Sequence, residues 1–260
     1  MIRARLRAAL RDDGAIAMVE FCLILPFVLL LGYGGLETAN YVLTYMKVSQ
    51  IAMTVADNAG RVRQALDETD VNQLMVGARV MGRGLNFGTN GRVILSDLEM
   101  RTTDNPVGSH QWIRWQRCSG ALQQSSSYGG PLDSNGNAIT NLSNTANTDH
   151  GAVETKSTIL GMGPISAYPI SSPNYVPQIV ASAGTAVMFV EVYYTYQPLV
   201  PGTFLLGKLN LLNNLTMHTT EAFNIRQRTD FSVYNSQSLS DPNRADCTKF
   251  SATTPYGNGN

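Results

Sequence analysis

Histidine, cysteine and charge are all scarce in this chain of 260 residues, and each shortage closes a class of function. The three histidines, His110, His150 and His218, stand far apart. None has His-Glu-x-x-His spacing and no Cys-x-x-Cys pair occurs, so no metal centre is legible. A phosphate-cradling glycine loop is missing, and so is a Gly-x-Ser-x-Gly elbow, which leaves phosphoryl transfer and elbow-type serine chemistry without a visible seat. Charged residues make up only 15%, they cancel to a net charge of +0, and no Lys/Arg-rich run stands out; nothing here recruits nucleic acid. Asp133-Ser134-Asn135-Gly136-Asn137 has the outline of a calcium loop. Its glycine is misplaced and Asn144 falls where a bidentate Glu is needed, so it reads as a turn. The expectation is a chain that is not an enzyme and carries no cofactor.

What the chain does have is one long apolar run. From Ile16 to Gly35, roughly 20 residues carry a single charge, Glu20. At 1.5 Å rise per residue that is about 30 Å, one bilayer core. Only a helix satisfies its own backbone in lipid, so residues 15–36 read as a transmembrane helix. Pro26 removes one backbone bond inside it and predicts a local kink. Arg3, Arg5, Arg7 and Arg11 precede the run, so residues 1–14 read as a cytoplasmic basic leader and the bulk of the chain as periplasmic. A cleaved secretory signal is the alternative; its apolar core is shorter, about 7–15 residues, and is followed by a small-residue cleavage site. No second run of membrane length follows Tyr45.

Beyond the membrane the helical pattern continues. Leu36 to Ala59 holds no proline or glycine, and Ala39, Val42, Met46, Ser49, Met53, Ala56 and Ala59 approximate one face. A second helix over Glu68 to Met81 places Val71, Leu74, Met75, Ala78 and Val80 on its apolar side, with Thr69 or Asp70 as cap. Residues 37–84 are thus a helical stem.

After Gly91 the period shortens to that of strands. Arg92 to Met100, Gln111 to Cys118, Thr185 to Tyr196 and Thr219 to Arg226 are the candidates. Residues 119–150 read as a long polar surface loop, 161–177 as a proline-rich connector, and Phe204 to Leu215 as an apolar stretch too short to cross a bilayer. Strands following helices without βαβ alternation predict an α+β domain with an antiparallel sheet over 85–260. Cys22 lies in the membrane run; Cys118 and Cys247 pair if their domain is exported, and stay free thiols otherwise.

Gly14-Ala15-Ile16-Ala17-Met18-Val19-Glu20-Phe21, with Leu25-Pro26 downstream, resembles the N-terminal signature of TadE-like proteins, pilin-like components of the tight-adherence pilus machinery. Tyr194-Thr195-Tyr196-Gln197-Pro198-Leu199-Val200-Pro201-Gly202 is similar to the distal part of that family. The resemblance implies a pilin-like domain and a minor pilin or pilus-assembly component in the inner membrane. It implies processing by prepilin peptidase after a small residue, and packing of Glu20, Phe21 and Pro26 within an assembled helical core. Glu20 would offset a neighbour's amino terminus and set register. In the family that glutamate is usually the fifth mature residue; a cut after Gly14 makes Glu20 the sixth, and a cut after Ala15 the fifth. Both bonds stay open, with Gly14 preferred because glycine suits an extended scissile bond. The partners implied are the peptidase, other pilins and minor pilins, the inner-membrane assembly platform and membrane lipid. The related TadG-type metal motif Asp-x-Ser-x-Ser starts at Asp230-Phe231-Ser232 but is broken by Tyr234. Against this stands a plain membrane anchor carrying a periplasmic binding or enzymatic domain. That alternative predicts an unprocessed N-terminus and a ligand pocket.

Overall fold

A long run of helix formers with few breakers becomes a single helix, α1 (Asp13–Arg61), which runs without interruption through Pro26. The computed structural model describes residues 13–63, 65–100, 111–133, 135, 137–139, 172–173, 179–199, 215–225 and 230–253. Outside them lie the basic leader, His110, His150, Asn144, the loop beyond 139, most of the proline connector, the stretch 200–214, and Arg226. The chain divides into two compact units: Met1–Thr44 with Pro198–Asn213, and Tyr45–Gln197 with Asn214–Asn260.

In the second unit the end of α1 buries Val48, Ile51, Ala52, Val55, Ala56 and Ala59, a stripe with helical spacing. Ala56 and Ala59 are buried as expected, but the rest of the expected face is corrected: Val42, Met46 and Met53 are exposed. The helix carries two apolar stripes, and hydropathy cannot say which one meets the core. Gly60 lets the last turn close on a strand; a Cβ there would lie 3.3 Å from the Asn224 carbonyl oxygen and 3.4 Å from Phe223 Cβ.

A two-residue strand, β1 (Leu66–Asp67), leads into α2 (Glu68–Met81). The cap is Asp67, not Thr69 or Asp70. Its carboxylate accepts the Thr69 N–H at 3.0 Å, while Asp70 accepts the Asp67 N–H at 3.1 Å, closing a capping box. Val71, Met75 and Ala78 are buried as expected; Val80 is exposed, and Glu68 and Asn72 are buried instead. A one-turn 3-10 helix (Arg83–Leu85) and a short α3 (Phe87–Asn90) carry the chain to the sheet.

The sheet has four antiparallel strands in the order β3-β2-β4-β5: β2 (Gly91–Met100), β3 (Gln111–Ser119), β4 (Ala186–Thr195) and β5 (Thr216–Asn224). The near-continuous apolar run of β4 places it centrally, where both faces are buried. β5 starts three residues before the expected Thr219, because Thr216 pairs with Thr195 at the end of β4. A final strand that periodicity does not reveal, β6 (Val233–Tyr234), pairs in parallel with β1.

Residues 230–253 form a strap, not a loose polar tail. Arg244 lies with Arg117 against Glu68, and all three side chains are fully buried. Glu68 Oε1 accepts from Arg117 Nη2 at 2.6 Å and from Arg244 Nη2 at 2.7 Å. One residue on, the Ala245 carbonyl accepts the Cys118 N–H at 2.9 Å. Cys247 is then bonded to Cys118, 129 residues away in sequence. On that side Arg92 donates to the carbonyls of Gly120, Lys249 and Cys247 at 2.9, 2.8 and 2.6 Å, and lies 4.1 Å from the Phe250 ring. Its burial lowers its pKa to about 10, against the opposing pull of Asp246. Gly120 makes the turn possible: its φ is +114°, and a Cβ would sit 2.2 Å from the Gly91 carbonyl oxygen.

Removing one partner of a buried ion cluster strands the others. Glu68→Ala is expected to cost about 3–5 kcal/mol of unfolding free energy. By contrast, Arg61→Ala, which breaks the Asp57 pair at a position 64% exposed, should leave it nearly unchanged. Urea unfolding of the detergent-solubilised chain, followed by tryptophan fluorescence, separates the two. Reduction of Cys118–Cys247 should lower the unfolding free energy in the same assay by about 2–5 kcal/mol.

Candidate functional site

Two places hold candidate functional groups, the apolar half of α1 and a polar cluster on the sheet. From Ile16 onward the first twenty side chains of α1 are exposed apart from a half-buried Tyr33, with Ile16, Phe21, Phe27 and Leu31 among the large ones. It is the one helix among the described residues long and apolar enough to cross a membrane. Glu20, Phe21, Cys22 and Pro26 all lie on this bare stretch, and Cys22 is a free thiol. Gly14 and Ala15 lie at the start of the described part of α1.

The second place is built on β4 and β5. Glu191 is fully buried between Ile94 and Thr220 in the ladder. The Ser126 hydroxyl donates to one of its oxygens. The other accepts the Ser127 N–H and the Tyr193 hydroxyl, each at 3.0 Å, and lies 3.5 Å from His218 Nε2. Tyr193 also meets Ser127 Oγ at 2.6 Å and stacks on the His218 ring, with centroids 4.2 Å apart. Serine, histidine and a carboxylate are thus brought together, but in the wrong order for a hydrolytic relay. Ser126 gives its proton directly to the carboxylate, with no imidazole between them. What the arrangement does is hold residues 122–128 on the sheet, helped by Tyr128 packing edge-on against Phe189 at 5.2 Å. The expected free surface loop is anchored over this part.

The other polar motifs are likewise occupied. Asp133 accepts the N–H groups of Asn135 and Asn137 at 2.8 and 2.9 Å, which makes it a turn. Asp230 accepts the Ser232 N–H at 2.9 Å and the hydroxyl of Tyr234, the residue that breaks the metal motif. Among the described residues no group of three or more His, Cys, Asp or Glu is placed to hold a metal ion. A cavity of about 210 Å³ lies beside Cys118 and Arg244, whose guanidinium is already engaged by Glu68. Sequence reasoning passed over Glu37, Glu68, Arg92 and Glu191. A charged residue inside an apolar strand or at a helix start was the only signal available for them.

Burial, followed by the charge of Glu191, pushes the Tyr193 phenol up to about 12, with the Ser127 hydrogen bond acting the other way. A raised phenol favours the folded state fully below its ordinary value of 10.0, and that contribution is lost as pH climbs to about 12. Tyr193→Phe should therefore flatten the fall in stability over that window. Unfolding free energies of both proteins across alkaline pH check it.

α1 also matches a known family over most of its length. The family model described as TadE, TadE-like protein, covers residues 15–57. No curated protein and no solved structure matches the chain.

Proposed function

We propose that this chain, TadE-like over residues 15–57, is a minor pilin or pilus-assembly component of a tight-adherence pilus, held in the inner membrane by α1. The observation that carries this reading is a coincidence of position. The family match covers the exposed apolar stretch from Ile16 and includes Glu20, the one charge between Ile16 and Gly35. The role assigned is assembly; no bond chemistry is required of the chain.

Residues 15–36 anchor the subunit, residues 37–84 form its periplasmic stem, and residues 85–260 its outer domain. The Cys118–Cys247 bond supports export, since disulfides persist in oxidising compartments. Prepilin peptidase cuts after Gly14 or Ala15. Before assembly Glu20 stands near the cytoplasmic boundary, where a carboxylate is cheaper than at the bilayer centre. After assembly it meets the new α-amino group of a neighbouring pilin, and Phe21 and Pro26 pack in the helical core. The other pilins and the assembly platform are its protein partners.

Two measurements test this. N-terminal sequencing from cells with and without the peptidase should find a start at Ala15 or Ile16 only when the peptidase is present; Met1 in both would leave a plain anchor. Glu20→Leu should insert normally yet be incorporated poorly, read as membrane-bound against pilus-associated protein. Normal pili containing the substituted chain would remove the register role.

A further inference from the structure

α1 contains a second carboxylate near the end of its apolar stretch. Glu37 is only 4% exposed, and its Oε2 accepts the backbone N–H of Leu199 at 3.2 Å, across 162 residues of sequence. A backbone donor on an ionised acceptor makes a strong hydrogen bond. Both partners belong to the same unit of the chain, so the bond ties the segment leaving β4 back to the helix. The apolar side chains next to it in sequence remain bare: Leu36 is 58% exposed and Leu199 55%.

The place of this link along the helix is informative. Glu37 comes 21 residues after Ile16, where the apolar run of the sequence begins. At 1.5 Å per residue that is about 31 Å, close to the hydrocarbon thickness of a bilayer. Tyr33 and Tyr41 stand one turn to either side, and tyrosine is enriched at the membrane–water boundary. With Ile16 at the near boundary, Glu37 sits at the far one.

We propose that the Glu37–Leu199 hydrogen bond is a membrane seat, holding the bare Leu199 beside Leu36 in the far headgroup–acyl boundary of the bilayer. The occupant is lipid. The patch continues the lipid-facing surface of α1, and its two exposed leucines would otherwise stand in water at the level where lipid is present. Glu37 is a positioning residue here: it touches no lipid and sets the depth of Leu199. The inference rests on the membrane reading of α1 given above, and it can fail while that reading stands.

The test uses the full chain in a Cys22→Ala background, in vesicles of phosphatidylcholine and phosphatidylglycerol. A bimane label is placed at Leu199→Cys, at Val28→Cys in the middle of the span, and at Asn135→Cys on an exposed turn. Lipids carrying nitroxides at shallow or deep positions, and aqueous iodide, serve as quenchers. The expected result is deep quenching at Val28, shallow-lipid quenching at Leu199, and iodide quenching alone at Asn135. Glu37→Ala should abolish lipid quenching at Leu199 and leave Val28 unchanged, while Glu37→Gln, which keeps an oxygen acceptor, should restore it. If Val28 is quenched and Leu199 behaves like Asn135, the seat is wrong and the anchor survives. If Leu199 is shielded from both iodide and lipid, a protein partner covers the patch and the proposal falls. Unchanged lipid quenching in Glu37→Ala removes the role of Glu37. No lipid quenching at Val28 overturns the anchor and the seat together.

Discussion

The buried Arg117–Glu68–Arg244 cluster is the constraint on which the sheet domain depends. It joins the first residue of α2, the edge strand β3 and the C-terminal strap, segments separated by 49 and 176 residues. Taking three charges out of water is expensive, and such clusters are often no more stabilising than a well-packed apolar core. Their strength is discrimination: a displaced strap leaves at least one charge buried without its partner. Glu68 also stands in the first turn of α2, where a carboxylate complements the helix dipole. One side chain therefore helps set where the helix starts, where β3 runs and where the strap returns.

The strap needs that guidance because of its path. Residues three apart along a strand face opposite sides of the sheet, so Arg92 projects on the side opposite Leu95 and its ladder neighbour Arg117. Arg244 serves one face through Glu68, Ala245 meets the edge of β3, and Cys247 and Lys249 serve the other face through Arg92. The strap thus wraps the β3 edge, capping backbone groups that an open edge strand would offer to another chain. The disulfide lies within this crossing and makes it covalent.

α1 answers to two different surroundings along one continuous helix. Between Ile16 and Leu31 its apolar side chains are bare, as suits lipid or the helices of neighbouring subunits. From Val48 to Ala59 one stripe is packed in the domain and the opposite positions are exposed. The TadE-like match spans both stretches and stops before the sheet.

Local pattern determined a good deal of this by itself. The helix from Ile16, the span Glu68–Met81, the four sheet strands and the α+β class were legible because each depends on periodicity within a few turns or a few residues. The apolar run with its single Glu20 was legible for the same reason. Tertiary structure decided the rest. Which of two apolar stripes of α1 is buried depends on what packs against it. β6 is too short to carry a period and exists only because β1 is beside it. Asp67 could be told from Thr69 and Asp70 as the cap only once the backbone turned extended there. Glu68, Arg92, Glu191 and Glu37 look like ordinary surface charges in a linear sequence. Their partners are 27 to 176 residues away, apart from the near neighbour Tyr193, and only the folded chain brings those charges, donors and acceptors within reach.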